Sequence, residues 1–128
     1  MSWIFVLFLM LFCHIIDDYY LQGLLAQMKQ KAWWDKQTEN SLYKNDYKMA
    51  LTIHSISWAF MIMLPLAAKL QFDCGLVYVY LLLGNATVHG IVDDLKANKL
   101  KINLVQDQMI HIIQVFVTWV LTRITGIL

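Results

Sequence analysis

Four apolar stretches, each close to the length needed to cross a lipid bilayer, dominate this sequence of 128 residues. They cover about residues 2–21, 49–68, 74–92 and 109–128. A transmembrane helix needs roughly 20 mostly apolar residues, and a short chain that folds in water has too little interior to bury four of them. Because 59% of the residues are hydrophobic and only 15% are charged, lipid has to cover the remaining apolar surface. The sequence therefore predicts an all-α, polytopic membrane protein, a four-transmembrane-helix bundle that forms one domain over residues 1–128.

The longest polar segment, residues 23–48, separates the first two apolar stretches. It interleaves lysines with apolar residues and contains the pair Trp33 and Trp34. This composition is typical of an amphipathic helix that lies in the membrane interface, with its tryptophans at headgroup depth. A helical hairpin that extends the first span is a second interpretation of the same residues.

The placement of lysines predicts the orientation of the bundle. Eight of the ten basic residues fall in the first and third loops, namely Lys29, Lys31, Lys36, Lys44, Lys48, Lys96, Lys99 and Lys101. Because loops rich in lysine stay on the cytoplasmic side, we expect both termini outside and the chain in the inner (cytoplasmic) membrane. A net charge of +1 gives no reason to expect nucleic acid as a partner. The expected partner is the lipid bilayer, and association into a homo-oligomer stays open.

Ionisable side chains at membrane depth are costly, so they are candidates for function. Three of the four histidines have an aspartate four residues away, which puts both side chains on one face of a helix. These pairs are His14 with Asp18, His89 with Asp93, and His111 with Asp107. The fourth histidine, His54, lies one turn inside the second span. With the orientation given above, all four spans carry their histidine toward the same side of the membrane.

Imidazole and carboxylate groups together favour a divalent cation, most of all Zn²⁺, with Mn²⁺ or Fe²⁺ as alternatives. The candidate metal ligands are His14, Asp18, His54, His89, Asp93, Asp107 and His111. Seven ligands exceed the needs of a single tetrahedral ion, so one ion and two ions both stay open. Asp17 and Asp94 are candidates for a general base or for a position behind the ligands. Lys96, with Lys29, is a candidate for holding an anionic group beside the ion.

Other roles for these residues also stay open. The three pairs could form a hydrogen-bonded network that holds the bundle together. They could form a proton or ion relay, although a relay needs polar residues across the whole membrane and these lie at one side. Asp17 and Asp94 could simply be solvated at helix ends, and Lys96 could serve only to set the orientation.

Three segments around these pairs resemble the ordered motifs of a known family. Residues 14–22, HIIDDYYLQ, are similar to an H-x-x-x-D-F-x-L-Q signature, with Tyr19 in place of the usual Phe. Residues 89–96, HGIVDDLK, resemble an H-x-x-x-D-x-x-K element, and residues 107–111, DQMIH, resemble a D-Q-x-x-H element. The family is domain of unknown function 3307, a group of small phage and bacterial membrane proteins.

The resemblance implies the four-helix membrane architecture, a further histidine at His54 and a lysine at Lys29, but no established reaction. A looser similarity, confined to the spans rich in His and Asp, is to inner-membrane proteins described as metal-dependent hydrolases.

We therefore predict a membrane-embedded metal-dependent hydrolase whose substrate presents its scissile bond at headgroup level. A lipid phosphoester, such as a phospholipid or a polyprenyl phosphate, suits Lys96 and Lys29, and the chain has no HExxH metalloprotease motif. The alternative is a non-enzymatic metal-binding membrane protein. Such a protein would bind a host partner through the segment of Trp33 and Trp34, or would carry metal ions or protons. A carrier should show polar residues that continue toward the outer face, and the sequence has few.

Overall fold

The computed structural model describes residues 1–125, which are mostly helical and contain no β-strand. The six α-helices are α1 (Trp3–Ile15), α2 (Leu25–Met28), α3 (Lys31–Gln37), α4 (Asp46–Lys69), α5 (Leu76–Ala97) and α6 (Leu104–Ile124). Residues Ile16–Leu21 continue α1 as a π-helix, and a 3₁₀ turn at Ser41–Tyr43 precedes α4. The prediction of an all-α fold is confirmed.

Four helices, with α1 counted together with its π-helical continuation to Leu21, are long and apolar enough to cross a membrane, as predicted. The third span continues five residues beyond the predicted end, because ion pairs and hydrogen bonds satisfy the polar side chains of its last turns. The fourth span begins five residues earlier than predicted. Asn103 caps α6 there, and Gln106 completes the capping box that fixes its first turn. The predicted end of this span at residue 128 lies outside the described residues.

The four long helices close a ring in the order α1, α4, α5, α6, in which each helix packs against two neighbours. Half of the most apolar stretch of α4 is buried, against 22–33% for the other three, so α4 contributes most to the interior. The core side chains are Val6, Met10, Trp58, Ala59, Ile62, Met63, Leu66, Ala67, Tyr78, Ala86 and Val115. Large apolar side chains such as Phe5, Phe8 and Phe12 remain exposed on the outside. Such an apolar exterior is compatible with a bundle surrounded by lipid.

The polar segment between the first two spans does not form one continuous amphipathic helix. Gly23, with φ of +47°, lets the chain turn after the π-helix, and α2 and α3 then form two short pieces. The side chain of Asn98 accepts a hydrogen bond from the backbone N–H of Lys31 (2.7 Å) and donates one to the carbonyl of Lys29 (3.1 Å). These bonds hold the segment against the end of the bundle that carries residues 22–45 and 98–103, called the loop end below.

Candidate metal centre

The four histidines lie seven or eight residues inside the loop end of their own spans. At a helical rise of 1.5 Å per residue, this places each of them about 11–12 Å from that end. Helices α1 and α5 run toward the loop end, whereas α4 and α6 run away from it, so equal distances bring the rings to one level. All four rings are buried, with exposed fractions of 3% or less. The structure therefore brings together the histidines that the sequence assigned to one depth.

Asp93 lies at the centre of three converging imidazoles. Its Oδ2 lies 3.3 Å from Nε2 of His54 and 3.7 Å from Nε2 of His89, and its Oδ1 lies 3.3 Å from Nε2 of His111. Two more carboxylates complete the group. Oδ1 of Asp18 is 3.3 Å from Nε2 of His54, and Oδ1 of Asp107 is 3.4 Å from Nε2 of His111. These six residues form the His/Asp cluster, namely Asp18, His54, His89, Asp93, Asp107 and His111.

The donor set of the His/Asp cluster fits a divalent cation. Two ligands of a tetrahedral ion with bonds of about 2.0–2.2 Å lie roughly 3.3–3.6 Å apart, close to the separations given above. Nε2 of His54 lies 3.1 Å from Nε2 of His89, and Oδ1 of Asp18 and Oδ1 of Asp107 are buried without a hydrogen bond. Three overlapping triads could each hold a metal ion: Asp18–His54–His89, His89–Asp93–His111 and Asp18–Asp107–His111. A cation would satisfy the oxygens that hydrogen bonds leave unpaired.

Asp17 lies on the other side of the His54 ring. It is buried, accepts a hydrogen bond from the Ser57 hydroxyl (2.8 Å), and its Oδ2 lies 3.9 Å from Nδ1 of His54. The cluster contacts the opposite ring nitrogen, Nε2. A carboxylate behind a ligating histidine fixes the orientation of the ring and its tautomer. The geometry thus agrees with the interpretation of Asp17 as a residue behind the ligands.

His14, which the sequence predicts as a ligand, is not a member of the three triads. Its Nδ1 accepts a hydrogen bond from the indole N–H of Trp58 (2.8 Å), so in the neutral ring the proton sits on Nε2. Neither nitrogen then offers a lone pair to a metal. Asp18 lies in the π-helix, whose wider turn does not return a side chain to the same face after four residues. The His14/Asp18 pair expected from the spacing therefore does not form.

Asp94 also lies apart from the His/Asp cluster, although it follows Asp93 directly. Its Oδ2 lies 3.0 Å from Nζ of Lys99, and its Oδ1 accepts a hydrogen bond from the side chain of Asn98 (2.9 Å). Neighbouring residues of an α-helix point about 100° apart, which carries Asp94 away from the ligands. Of the two interpretations of Asp94, a base or supporting residue at the metal or a side chain at a helix end, this geometry favours the second.

Two lysines contact the carboxylates of the cluster. Nζ of Lys29, which is buried, lies 2.5 Å from Oδ2 of Asp93. Nζ of Lys96, which is partly exposed, lies 2.5 Å from Oδ2 of Asp107 and 4.0 Å from Oδ1 of Asp93. Lys29 therefore neutralises part of the buried charge, whereas Lys96 retains access to solvent beside the ligands.

Two residues that the sequence did not single out complete the site. The side-chain amide of Gln108 donates to Oδ2 of Asp18 (2.8 Å) and to Oδ2 of Asp107 (2.9 Å). Trp58 stacks on the His89 ring, with centroids 4.1 Å apart. The sequence held a signal for both. Gln108 adjoins Asp107 in the DQMIH segment, and Trp58 lies four residues after His54, on the same face of α4.

A cavity of about 320 Å³ reaches the His/Asp cluster from the loop end. Asp18, Lys96 and Gln108 belong to its walls, together with Gln22 and Leu104. Among the carboxylates of the cluster, Asp18 lines this cavity, while Asp93 and Asp107 are fully buried behind it. The His/Asp cluster is thus enclosed by protein on most sides. The cavity reaches it at the carboxylate of Asp18, beside the ammonium group of Lys96. This cavity is called the cluster cavity below.

No family model, curated protein or solved structure matches this chain. The resemblance to domain of unknown function 3307 stays a prediction, and the function has to be inferred from the chemistry of the site.

Proposed function

We propose that this chain is a membrane-embedded, metal-dependent hydrolase that acts on a phosphoester at headgroup level. The observation that carries the proposal is the opening of the buried His/Asp cluster onto a cavity lined by Lys96 and Asp18. When bound, a divalent cation, Zn²⁺ by preference, supplies a Lewis acid and makes a coordinated water nucleophilic near neutral pH.

The residues of the cluster cavity can account for the remaining chemistry. The oxygen of the attacking water forms a bond to phosphorus while the ester P–O bond breaks, which yields a phosphate and an alcohol. If the triad His89–Asp93–His111 holds the cation, Asp18 is free to take a proton from the water and return it to the oxygen of the departing alcohol. The ammonium group of Lys96 stabilises the negative charge on the phosphoryl oxygens. Gln108, which donates to both Asp18 and Asp107, holds these carboxylates in place.

The depth of the cluster supports a substrate that resides in the membrane. The histidines lie two to three turns inside the spans, so a substrate has to present its scissile bond below the helix ends. The placement of lysines supports a cytoplasmic location for this end. A phosphoester suits the cation at Lys96 better than a peptide bond does, since a peptide carries no charge at the scissile bond.

A test compares phosphate release by the purified protein before chelation, after chelation, and after return of Zn²⁺ or Mn²⁺. We expect chelation and His111→Ala each to abolish release from lipid phosphoesters. Lys96→Met should reduce the rate about 100-fold, the typical loss for one donor to a transition-state oxyanion. Lys99→Met is the matched control, because Lys99 pairs with Asp94 outside the cluster. Release that persists after chelation would contradict the proposal.

A carrier of metal ions or protons is the second candidate, favoured by a buried polar network beyond the cluster. The side chains of Gln114 (2.9 Å) and Thr118 (3.0 Å) both donate to Oδ1 of Asn85. This network extends from the level of His111 toward the opposite end of α6. Flux of Zn²⁺ or protons into vesicles that contain the protein distinguishes the two functions. A carrier gives flux that Asn85→Leu blocks, whereas a hydrolase gives phosphate release without flux.

A further inference from the structure

A second cavity, of about 580 Å³, lies in the outer surface of the bundle between α1 and α6. Apolar side chains dominate its walls, with Leu11 and Ile15 on α1 and Ile112 on α6. Ile15 and Ile112 are 45% and 42% exposed, so the cavity is open to the surroundings of the bundle. This surface cavity is called the α1–α6 groove below.

The α1–α6 groove adjoins the cluster cavity. Tyr19, Tyr20 and Gln108 line both, so the two volumes share a wall and meet at the carboxamide that binds Asp18 and Asp107. Both tyrosines lie in the π-helix, and such wider turns occur preferentially at functional sites. The two adjoining cavities are therefore polar at the loop end, where Asp18 and Lys96 line the wall, and apolar along the helices.

We propose that the α1–α6 groove binds the hydrocarbon chain of a lipid phosphate, which enters sideways from the bilayer with its phosphate in the cluster cavity. Hydrolysis of the bound lipid phosphate rests on the proposed function, whereas binding of its hydrocarbon chain does not. Two features select this occupant. The α1–α6 groove opens on the exterior that lipid would surround, and the adjoining cluster cavity has the ammonium group of Lys96 in its wall, where it can pair with an anion. A volume of this size lies in the range that encloses small ligands.

A photoreactive lipid tests where the chain binds. Hexadecyl phosphate with a diazirine in its chain is added to the Zn²⁺-loaded protein in nanodiscs, irradiated, and the labelled residues are mapped by mass spectrometry. We expect label on Leu11, Ile15 and Ile112. Ile112→Trp fills the groove and should reduce this labelling at least tenfold. Ile113→Trp, one position along α6 on the exposed surface, is the matched control and should leave the labelling unchanged.

Enzyme assays on the same variants separate access from chemistry. Ile112→Trp should lose hydrolysis of hexadecyl phosphate but retain hydrolysis of p-nitrophenyl phosphate, which reaches the cluster cavity from water. Bound Zn²⁺ equal to that of the unmodified chain shows that the variant is folded at the site. If the label is confined to the groove but the unmodified chain hydrolyses neither ester, the proposed hydrolase function is overturned and lipid binding in the α1–α6 groove is supported. If the label is spread evenly around the bundle, or is concentrated between α4 and α5, lipid binding in the α1–α6 groove is overturned, whatever the enzyme assays show.

Discussion

Nδ1 of His14 accepts a hydrogen bond from the indole N–H of Trp58, at 2.8 Å, across the contact between α1 and α4. In the sequence His14 has the same spacing to an aspartate as His89 and His111, but the bond to Trp58 uses the lone pair that a metal would need. The ring lies beside the His/Asp cluster, with its centroid 6.0 Å from that of His111, without being one of its donors.

His14→Ala should therefore retain the bound metal, whereas His89→Ala should lose it. The first variant leaves the buried indole N–H of Trp58 without its acceptor, which destabilises the protein by about 1–3 kcal/mol. The second removes a donor shared by two of the three triads. Metal content per chain, measured by plasma mass spectrometry after gel filtration, distinguishes the two. Loss of metal from both variants would mean that His14 leaves Trp58 and binds the ion.

Asp17→Asn should weaken metal binding 10- to 100-fold, the usual effect of removing a carboxylate behind a ligating histidine. Asp17 faces Nδ1 of His54 and is held by Ser57. Asp94→Asn is the matched control, since Asp94 contacts Lys99 and Asn98 instead of a ligand. Competition with a chromogenic chelator measures both affinities, and equal affinities for the two variants would count against the positioning role of Asp17.

Lys29→Met should destabilise the metal-free protein by about 3–5 kcal/mol, because it leaves the fully buried carboxylate of Asp93 without its cation. Added Zn²⁺ should restore part of this loss, since the ion supplies the missing positive charge. Lys36→Met, at an exposed position in α3, is the control and should change stability little. Unfolding midpoints with and without Zn²⁺ provide the measurement, and a destabilisation that Zn²⁺ leaves unchanged would show that the charge of Lys29 is not what matters.

The sequence was sufficient for the spans and for most of the site, because both depend on regular spacing. Apolar length marked the four helices, and the i, i+4 spacing correctly paired His89 with Asp93 and His111 with Asp107. The same rule failed for Asp18, where it assumed an α-helix and the chain forms a π-helix. No residue type marks a π-helix, so this change of register is visible only in three dimensions.

Long-range contacts set the second limit. Lys29 lies 64 residues from Asp93 in the chain, and its burial depends on how residues 22–45 fold back on the loop end. In the sequence it is one lysine among five in a polar segment, where an exposed side chain is the ordinary expectation. The role of Trp58 likewise depends on long-range contacts, because its partners His14 and His89 belong to other helices.

The close approach of α4 and α5 gives a test that does not depend on the metal. A Cβ added at Gly90 would lie 2.8 Å from Oγ of Ser55, whereas one added at Gly84 would meet nothing within 4 Å. Gly90→Ala should therefore destabilise the bundle by about 1–3 kcal/mol through overpacking. Gly84→Ala should be neutral or stabilising by up to about 1 kcal/mol, as expected for alanine in a helix. Equal unfolding midpoints for the two variants would show that the helices do not pack this closely.

The charge of the site leads us to expect one divalent ion per chain. Four buried carboxylates, those of Asp17, Asp18, Asp93 and Asp107, are compensated by the two ammonium groups of Lys29 and Lys96. With neutral histidines the net charge is two negative, which one divalent cation neutralises. Uncompensated charge at membrane depth is costly, so a second ion should bind only together with an anion. Metal analysis in phosphate-free buffer should therefore give a ratio close to one, and a ratio of two there would mean that the lysines give up their protons or leave the carboxylates.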